Sequence, residues 1–379
     1  MGPTCAEIDL FAVAQNVAVA KRLVKGGAEV MAVVKADGYG HGAVSVARAA
    51  LAAGATWLGV ATPEEGRRLR EAGVSAPILV LSPILPEQAA LIVSAGLDQC
   101  VSDIGQAEVL ASAARAVGGR AQIHLKVDTG MGRIGLQPGE VSGAAAKLAA
   151  LPGVQVRALM THFAEAEIQG LETLRGALDR FDEAWQACRR AGLEVSLRHA
   201  ANSAALLLHP EAHFELVRPG LLVYGCHPQG PAAADAVGLR PALRLRTAIT
   251  QLKHLPVGAG VSYGRTFVAS RPVRIAVIPI GYADGWARLL SNRGQALVHG
   301  RRVPVVGRVC MDLTLLDVTD CPDARVGDEV ILIGRQGAEA IRVDEVAALQ
   351  GTISYEVLAR LGPRIPRHYG HGGLGPSGA

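Results

Sequence analysis

The stretch EVMAVVKADGYGHGAVSVARAALAAGATWLGVAT (29–62) decides the fold. It opens on an apolar run, EVMAVVKA (29–36), in which Lys35 follows the valines. Glycines at 38, 40 and 42 supply a turn. HGAVSVARAALAAG (41–54) then places Val44, Ala47 and Leu51 at helical spacing, with His41 at its start and a glycine at its stop. A second apolar run, TWLGVAT (56–62), completes a strand–helix–strand unit.

The unit repeats. APILVLS (76–82), LDQCVS (97–102), AQIHLKVD (121–128), VQVRALMTHF (154–163), EVSLRHAANS (194–203) and FELVRPG (214–220) are further β-rich runs. They are continuously apolar more than alternating, as strands covered on both faces are. TPEEGRRLREAG (62–73) has a Thr cap, a proline at the first helical position and two acids. LETLRGALDRFDEAWQACRRAG (171–192) sets Leu174, Leu178, Phe181 and Trp185 on one face. Eight strands alternating with helices predict a (β/α)8 barrel of the TIM type over 7–236. An open doubly wound sheet fits the count too, but no G-x-G-x-x-G follows the first strand, which weakens a dinucleotide site.

After about residue 237 the rhythm changes to β runs with turns, until VDEVAALQG (343–351) and SYEVLARLG (354–362). The sequence predicts a mainly β C-terminal domain over 237–369, with the first N-terminal residues packing on it, and a frayed Gly-rich tail over 370–379. The 379 residues carry a net charge of +4 without a basic stripe, which argues against nucleic acid. Six cysteines show no C-x-x-C and no metal spacing, so no metal is expected and free thiols fit a reducing compartment. There is no signal pattern and no run long enough to span a bilayer, so the expected location is cytoplasmic, away from membranes.

Barrel enzymes place their chemistry at the C-terminal strand ends. Those ends supply Lys35 with Tyr39, Lys126 with Asp128 and Arg133, His162, His199 with Asn202 and Ser203, and Arg218 with Gly220. Each has a plain structural reading: a strand-end charge meeting water, a core histidine, or Ser203 capping the next helix. Together they gather at one rim. A lysine amine suits an aldehyde, glycines and a serine at a helix start suit a phosphate, and Arg218 suits a ring nitrogen. That combination describes pyridoxal 5′-phosphate.

The motifs AEIDLFAVAQN (6–16), AVVKADGYGHG (32–42), KVDTGMGRIG (126–135), THFA (161–164), ANSAA (201–205) and VRPG (217–220) run in order. VSYGRTF (261–267), PIGYADG (279–285), GRVCMD (307–312) and ISYEV (353–357) follow. In these motifs, over nearly its whole length, the sequence resembles the alanine racemase family. The resemblance implies fold-type III pyridoxal phosphate chemistry in a homodimer with shared active sites. It implies that Lys35 carries the cofactor and that Tyr263, supplied by the partner subunit, is the second base. Arg133 and the Met311 position match substrate-carboxylate contacts, and Arg218 matches the ring-nitrogen partner. Tyr39, Ser203, Gly220 and Tyr355 match phosphate contacts; His162, Asn202 and Leu221 are counted with the cofactor's surroundings. Lys126 matches a lysine that is carbamylated in many members and props up the arginine; His199, Tyr282 and Asp312 take supporting places.

The implied reaction interconverts L-alanine and D-alanine, supplying D-alanine for peptidoglycan. Lys35 takes the proton from D-alanine and Tyr263 from L-alanine, with His162 and Arg218 as a relay behind the tyrosine. Arg218 keeps its proton, so the ring nitrogen stays unprotonated and the ring is a weaker electron sink. Rival readings are a broad-specificity or serine racemase, a fold-type III decarboxylase, and a pyridoxal phosphate carrier built of a barrel alone. VSYG with CMD favours racemisation over decarboxylation, and the second domain argues against the carrier.

Overall fold

The computed structural model describes residues 2–168 and 170–370. Of the tail expected over 370–379, Gly370 closes a strand and the remainder lies outside the described residues. The chain forms two compact units: one of Val13–Gly38 with Ala43–Leu239, the other of the described residues up to Ala12, Tyr39–Gly42, and those from Arg240 on.

After β1 (Cys5–Asp9), which belongs to the second unit, come the barrel strands. They are β2 (Glu29–Val33), β3 (Trp57–Val60), β4 (Ile78–Val80), β5 (Asp98–Val101), β6 (Ala121–Lys126), β7 (Val154–Met160), β8 (Leu197–His199) and β9 (Leu216–Val217). All pair in parallel, in the order β8-β7-β6-β5-β4-β3-β2-β9. The sheet all but closes. Glu215 N–H donates to the Arg198 carbonyl (3.2 Å) and Arg218 N–H to the Ala201 carbonyl (2.8 Å) across the β8/β9 seam. This is the barrel that the strand–helix rhythm predicts.

The strands are shorter than the apolar runs, because a run continues into the turn that leaves the sheet. β3, β4 and β5 are buried throughout, as strands covered on both faces must be. One side of the staves fills the barrel with Met31, Trp57, Leu79, Cys100, Met160 and Leu216. Helix Pro63–Glu71 starts as predicted: Thr62 Oγ1 accepts from Glu65 N–H (3.3 Å), and Glu65 returns the bond to Thr62 N–H (3.4 Å). Helix Leu171–Arg190 buries Leu174 and Phe181, while Trp185 is half-buried under the Arg198 guanidinium. The helix expected to start at His41 instead starts at Ala43; His41 is buried, its Nδ1 2.8 Å from the Tyr39 carbonyl.

In the second unit β1 lies between Leu243–Ala248, antiparallel, and Arg367–Gly370, parallel. The sheet continues through Glu329–Gln336 to Gln295–Val298 and Arg301–Pro304. A three-stranded sheet of Gln251–Leu255, Val273–Ile278 and Thr314–Asp317 accompanies it, with helices Val343–Gln350 and Ser354–Ala359. Buried Arg244 ties the first sheet together, donating to Glu7 (2.7 Å) and Glu329 (2.5 Å). Among the described residues no helix is long and apolar enough to cross a membrane, and the six cysteines are free thiols.

Candidate active site

Lys35 leaves β2 onto an unusual turn. Ala36, Asp37, Gly38 and Tyr39 all have φ between 50° and 62°, so the chain makes a turn of left-handed helix. For residues with a Cβ this costs about 1–2 kcal/mol each, and such strain persists only where surrounding bonds impose it. Here Glu65 Oε1 accepts from Ala36 N–H (2.7 Å), Asp37 Oδ1 accepts from Ala43 N–H (2.9 Å), and Gly38 N–H donates to the Val34 carbonyl (2.8 Å). The other Glu65 oxygen takes the Ala61 N–H (2.7 Å), so one carboxylate joins the helix cap to the lysine turn. Lys35 is half-buried. Burial, and then the positive charge of Arg133, lower its proton affinity, against an opposing pull from Glu65.

Lys126 ends β6 and is buried; burial draws its pKa down to about 7. The loop after it turns on Asp128, whose Oδ1 accepts from the N–H groups of Gly130 (3.0 Å), Met131 (2.8 Å) and Gly132 (3.1 Å). The loop returns at Gly135, at φ +123°, where a Cβ would lie 2.7 Å from Asp128 N. It presents Arg133 exposed.

Arg218 follows β9 and is buried. Its Nη1–H donates to His199 Nδ1 (2.8 Å), and Nη2 reaches the carbonyls of Thr161 (2.7 Å) and Ala200 (2.9 Å) and His162 Nδ1 (3.2 Å). Burial brings its pKa to about 10, so it remains a cation near neutrality. Burial, and then Arg218, push the His162 imidazole far below its usual range. With Nδ1 facing a guanidinium, neutral His162 carries its proton on Nε2.

Ser203 does not cap the next helix. Asn202 does, its Oδ1 accepting from Ala205 N–H (2.9 Å), because Ser203 is already the first helical residue. The Ser203 hydroxyl instead accepts from Gly220 N–H (2.9 Å) and Leu222 N–H (3.2 Å), which leaves its own hydrogen to donate. Leu221 opens the short turn Leu221–Tyr224. An amine with weakened proton affinity, a hydroxyl donor beside a helix start and a fixed cation fit a phosphorylated aldehyde built on a nitrogen ring.

The second unit holds the remaining predicted residues. Tyr39 is buried, its ring 5.9 Å from that of Tyr355, and burial raises its phenol pKa. Tyr263 is 70% exposed on a strained loop in which Ser262 has φ 61° and Arg265 φ 47°. Ser262 Oγ donates to the Arg308 carbonyl (2.6 Å), which fastens the loop to the GRVCMD segment. That segment is tied in turn to PIGYADG: Tyr282 N–H donates to the Cys310 carbonyl (3.1 Å) and Ala283 N–H to the Met311 carbonyl (3.0 Å). At Gly281 a Cβ would lie 2.3 Å from both carbonyls, so only glycine allows this approach. Arg364 bridges Asp312 (2.8 Å) and Asp284 (2.9 Å). Met311 and Tyr282 are exposed.

Sequence reading missed Glu65, Asp98 and His124. Glu65 was legible only as a cap. Asp98 and His124 are polar residues at strand positions otherwise filled by apolar ones, and that was the available signal.

Two family models match the chain: alanine racemase, N-terminal domain, over residues 8–228, and alanine racemase, C-terminal domain, over 242–369. The alanine racemase of Symbiobacterium thermophilum is 50% identical over 370 residues, covering 98% of each chain. That of Desulfosudis oleivorans is 46% identical, over 97% of this chain and 96% of its own. Among solved structures, alanine racemase from Streptomyces lavendulae superposes with a TM-score of 0.92 at 40% identity, covering 99% of this chain and 98% of its own. The Bacillus anthracis enzyme with bound L-Ala-P gives 0.91 at 36%, covering 97% and 95%.

Proposed function

The chain belongs to the alanine racemase family, and on that premise we propose that it interconverts L-alanine and D-alanine with pyridoxal 5′-phosphate, using Lys35 and Tyr263 as its two bases. Lys35 carries the reading: a strand-end lysine with weakened proton affinity, held on a strained turn by three hydrogen bonds.

When bound, the cofactor withdraws electrons from the substrate's α-carbon and makes its proton acidic. The chain's residues do the rest. Lys35 Nζ takes the α-proton of D-alanine from one face, and Tyr263 Oη takes that of L-alanine from the other; each returns a proton in the reverse direction. Arg218 stays protonated near neutrality and offers the ring nitrogen only a donor. Ser203, Gly220 and Leu221, with Asn202 behind them, serve the phosphate, as do the hydroxyls of Tyr39 and Tyr355. Arg133 and the Met311 backbone N–H bind the substrate carboxylate. His162, with Nδ1 committed to Arg218, offers Nε2–H toward the tyrosine oxygen and stabilises it when deprotonated. His199, Lys126, Tyr282 and Asp312 hold these groups in place. Tyr263 comes from the partner subunit of a homodimer, which accounts for its exposure in a single chain. The enzyme works in the cytoplasm.

Chiral chromatography after incubation with a panel of L-amino acids tests the reaction and its substrate. The expected result is D-alanine from L-alanine faster than any other product; decarboxylation, or no D-alanine, contradicts it. Replacing Tyr263 by Phe removes one proton carrier, so L-to-D turnover falls by roughly a hundredfold or more, while α-proton exchange of D-alanine into deuterated water persists.

A further inference from the structure

Behind Arg218 a file of polar groups crosses the barrel interior. His199 Nδ1 faces Arg218 Nη1 at 2.8 Å; His199 Nε2 meets His124 Nδ1 at 2.8 Å; His124 Nε2 meets Asp98 Oδ2 at 3.1 Å. Asp98 is the first residue of β5, at the end of the barrel opposite the rim that carries Arg218. There its two oxygens also accept from Arg157 Nη1, at 3.3 and 3.1 Å. Both histidines are fully buried, and Asp98 and Arg218 nearly so. The barrel's apolar fill surrounds them: Trp57 sets its ring edge-on to His124 at 5.4 Å and lies under the Arg157 guanidinium at 4.7 Å. Polar groups in such a core are costly unless every donor and acceptor is matched.

The match permits one arrangement. A guanidinium only donates, so His199 Nδ1 accepts. Neutral His199 then carries its proton on Nε2 and donates it to His124 Nδ1. His124 in turn carries its proton on Nε2 and donates it to Asp98. Turning either ring's proton to Nδ1 would set two donors against each other. Burial, the largest influence on both imidazoles, holds them neutral.

We propose that Asp98 and His124 are positioning residues for Arg218: through the one-way chain Asp98–His124–His199 they fix the acceptor that orients the guanidinium. Neither touches the reacting atoms. The role rests on the reading of Arg218 as partner of the ring nitrogen, and it places the control of that partner at the opposite end of the barrel.

Two measurements on the holoenzyme test the chain. Nitrogen-15 NMR of histidine-labelled protein reads the tautomers directly. His124 and His199 are expected neutral, protonated on Nε2 and unchanged across neutral pH. An imidazolium at either, or Nδ1–H on His199, overturns the proposal whether or not any variant folds. The second measurement uses H124L, H124Q and R218A. Leucine breaks the chain, whereas glutamine can accept from His199 and donate to Asp98. H124L should lower kcat by roughly ten- to a hundredfold, the range found for partners that orient metal-bound histidines, leave KM nearly unchanged and shift the bound cofactor's visible band. H124Q should restore most of the rate and the band. R218A separates the two readings: a band that it leaves unmoved removes Arg218 from the ring. A band that R218A moves and folded H124L does not overturns the positioning role alone.

Discussion

Lys126 joins two cationic neighbours, Arg133 and Arg218, and burial brings its own pKa to about 7. Its amine is therefore mostly neutral above that pH and protonated below it. A neutral amine adds to carbon dioxide, forming a nitrogen–carbon bond and releasing a proton, and the resulting carbamate would offset part of the positive charge of the two guanidiniums. Labelled bicarbonate followed by carbon-13 NMR should show a protein carbamate signal well above pH 7 that fades well below it. The K126A protein should lack it; the same signal in K126A would assign it elsewhere. Lys35 differs in kind. In the proposed mechanism its amine carries the cofactor, so K35A should lose the cofactor's lysine-dependent visible absorbance together with about a thousandfold or more of the activity.

Two elements of the barrel unit, the lysine turn and the Asp128 loop, are held by side-chain staples. The lysine turn is left-handed through Tyr39, and the Asp128 loop comes back through Gly135. Gly135→Ala puts a Cβ against the Asp128 and Val127 backbone at 2.7–2.8 Å, so the loop that presents Arg133 must shift. The expected outcome is KM for alanine raised by roughly tenfold, about 1.4 kcal/mol of binding, with the cofactor's visible band intact because Lys35 is untouched. An unchanged KM would show that the loop tolerates the methyl group without moving Arg133. Much of this element level was legible in the sequence. Continuous apolar runs gave the staves, Thr62 and Glu65 gave a helix start, and strand ends gave Lys35, Lys126 and Arg218. The left-handed turn was not legible, because Ala36 and Asp37 have no intrinsic preference for it and distant Glu65 imposes it. Nor was the polar file through the barrel: Asp98 and His124 resemble ordinary interruptions of an apolar run until the strands are curled and both point inward.

At the scale of the molecule, the N-terminal residues were expected on the C-terminal domain, but which strands β1 joins there, more than two hundred residues away, was not legible, since no local signal announces the partner strands. The second unit also exposes Tyr263, Met311, Leu313, Tyr282 and Ile353, more apolar and aromatic surface than an isolated unit would gain by showing. The proposed homodimer, in which each chain lends Tyr263 to the other's Lys35, would cover that surface, and it leads to the most direct test of the proposed mechanism. K35A and Y263F proteins, each nearly inactive alone, are unfolded together, refolded as a mixture and supplied with cofactor and L-alanine. Half the dimers should be mixed, and each mixed dimer holds one site with both bases intact, so about a quarter of the wild-type D-alanine production should return. A mixture no more active than its parents, although mixed dimers are present by mass, would contradict the claim that Lys35 and Tyr263 from two chains form one two-base site.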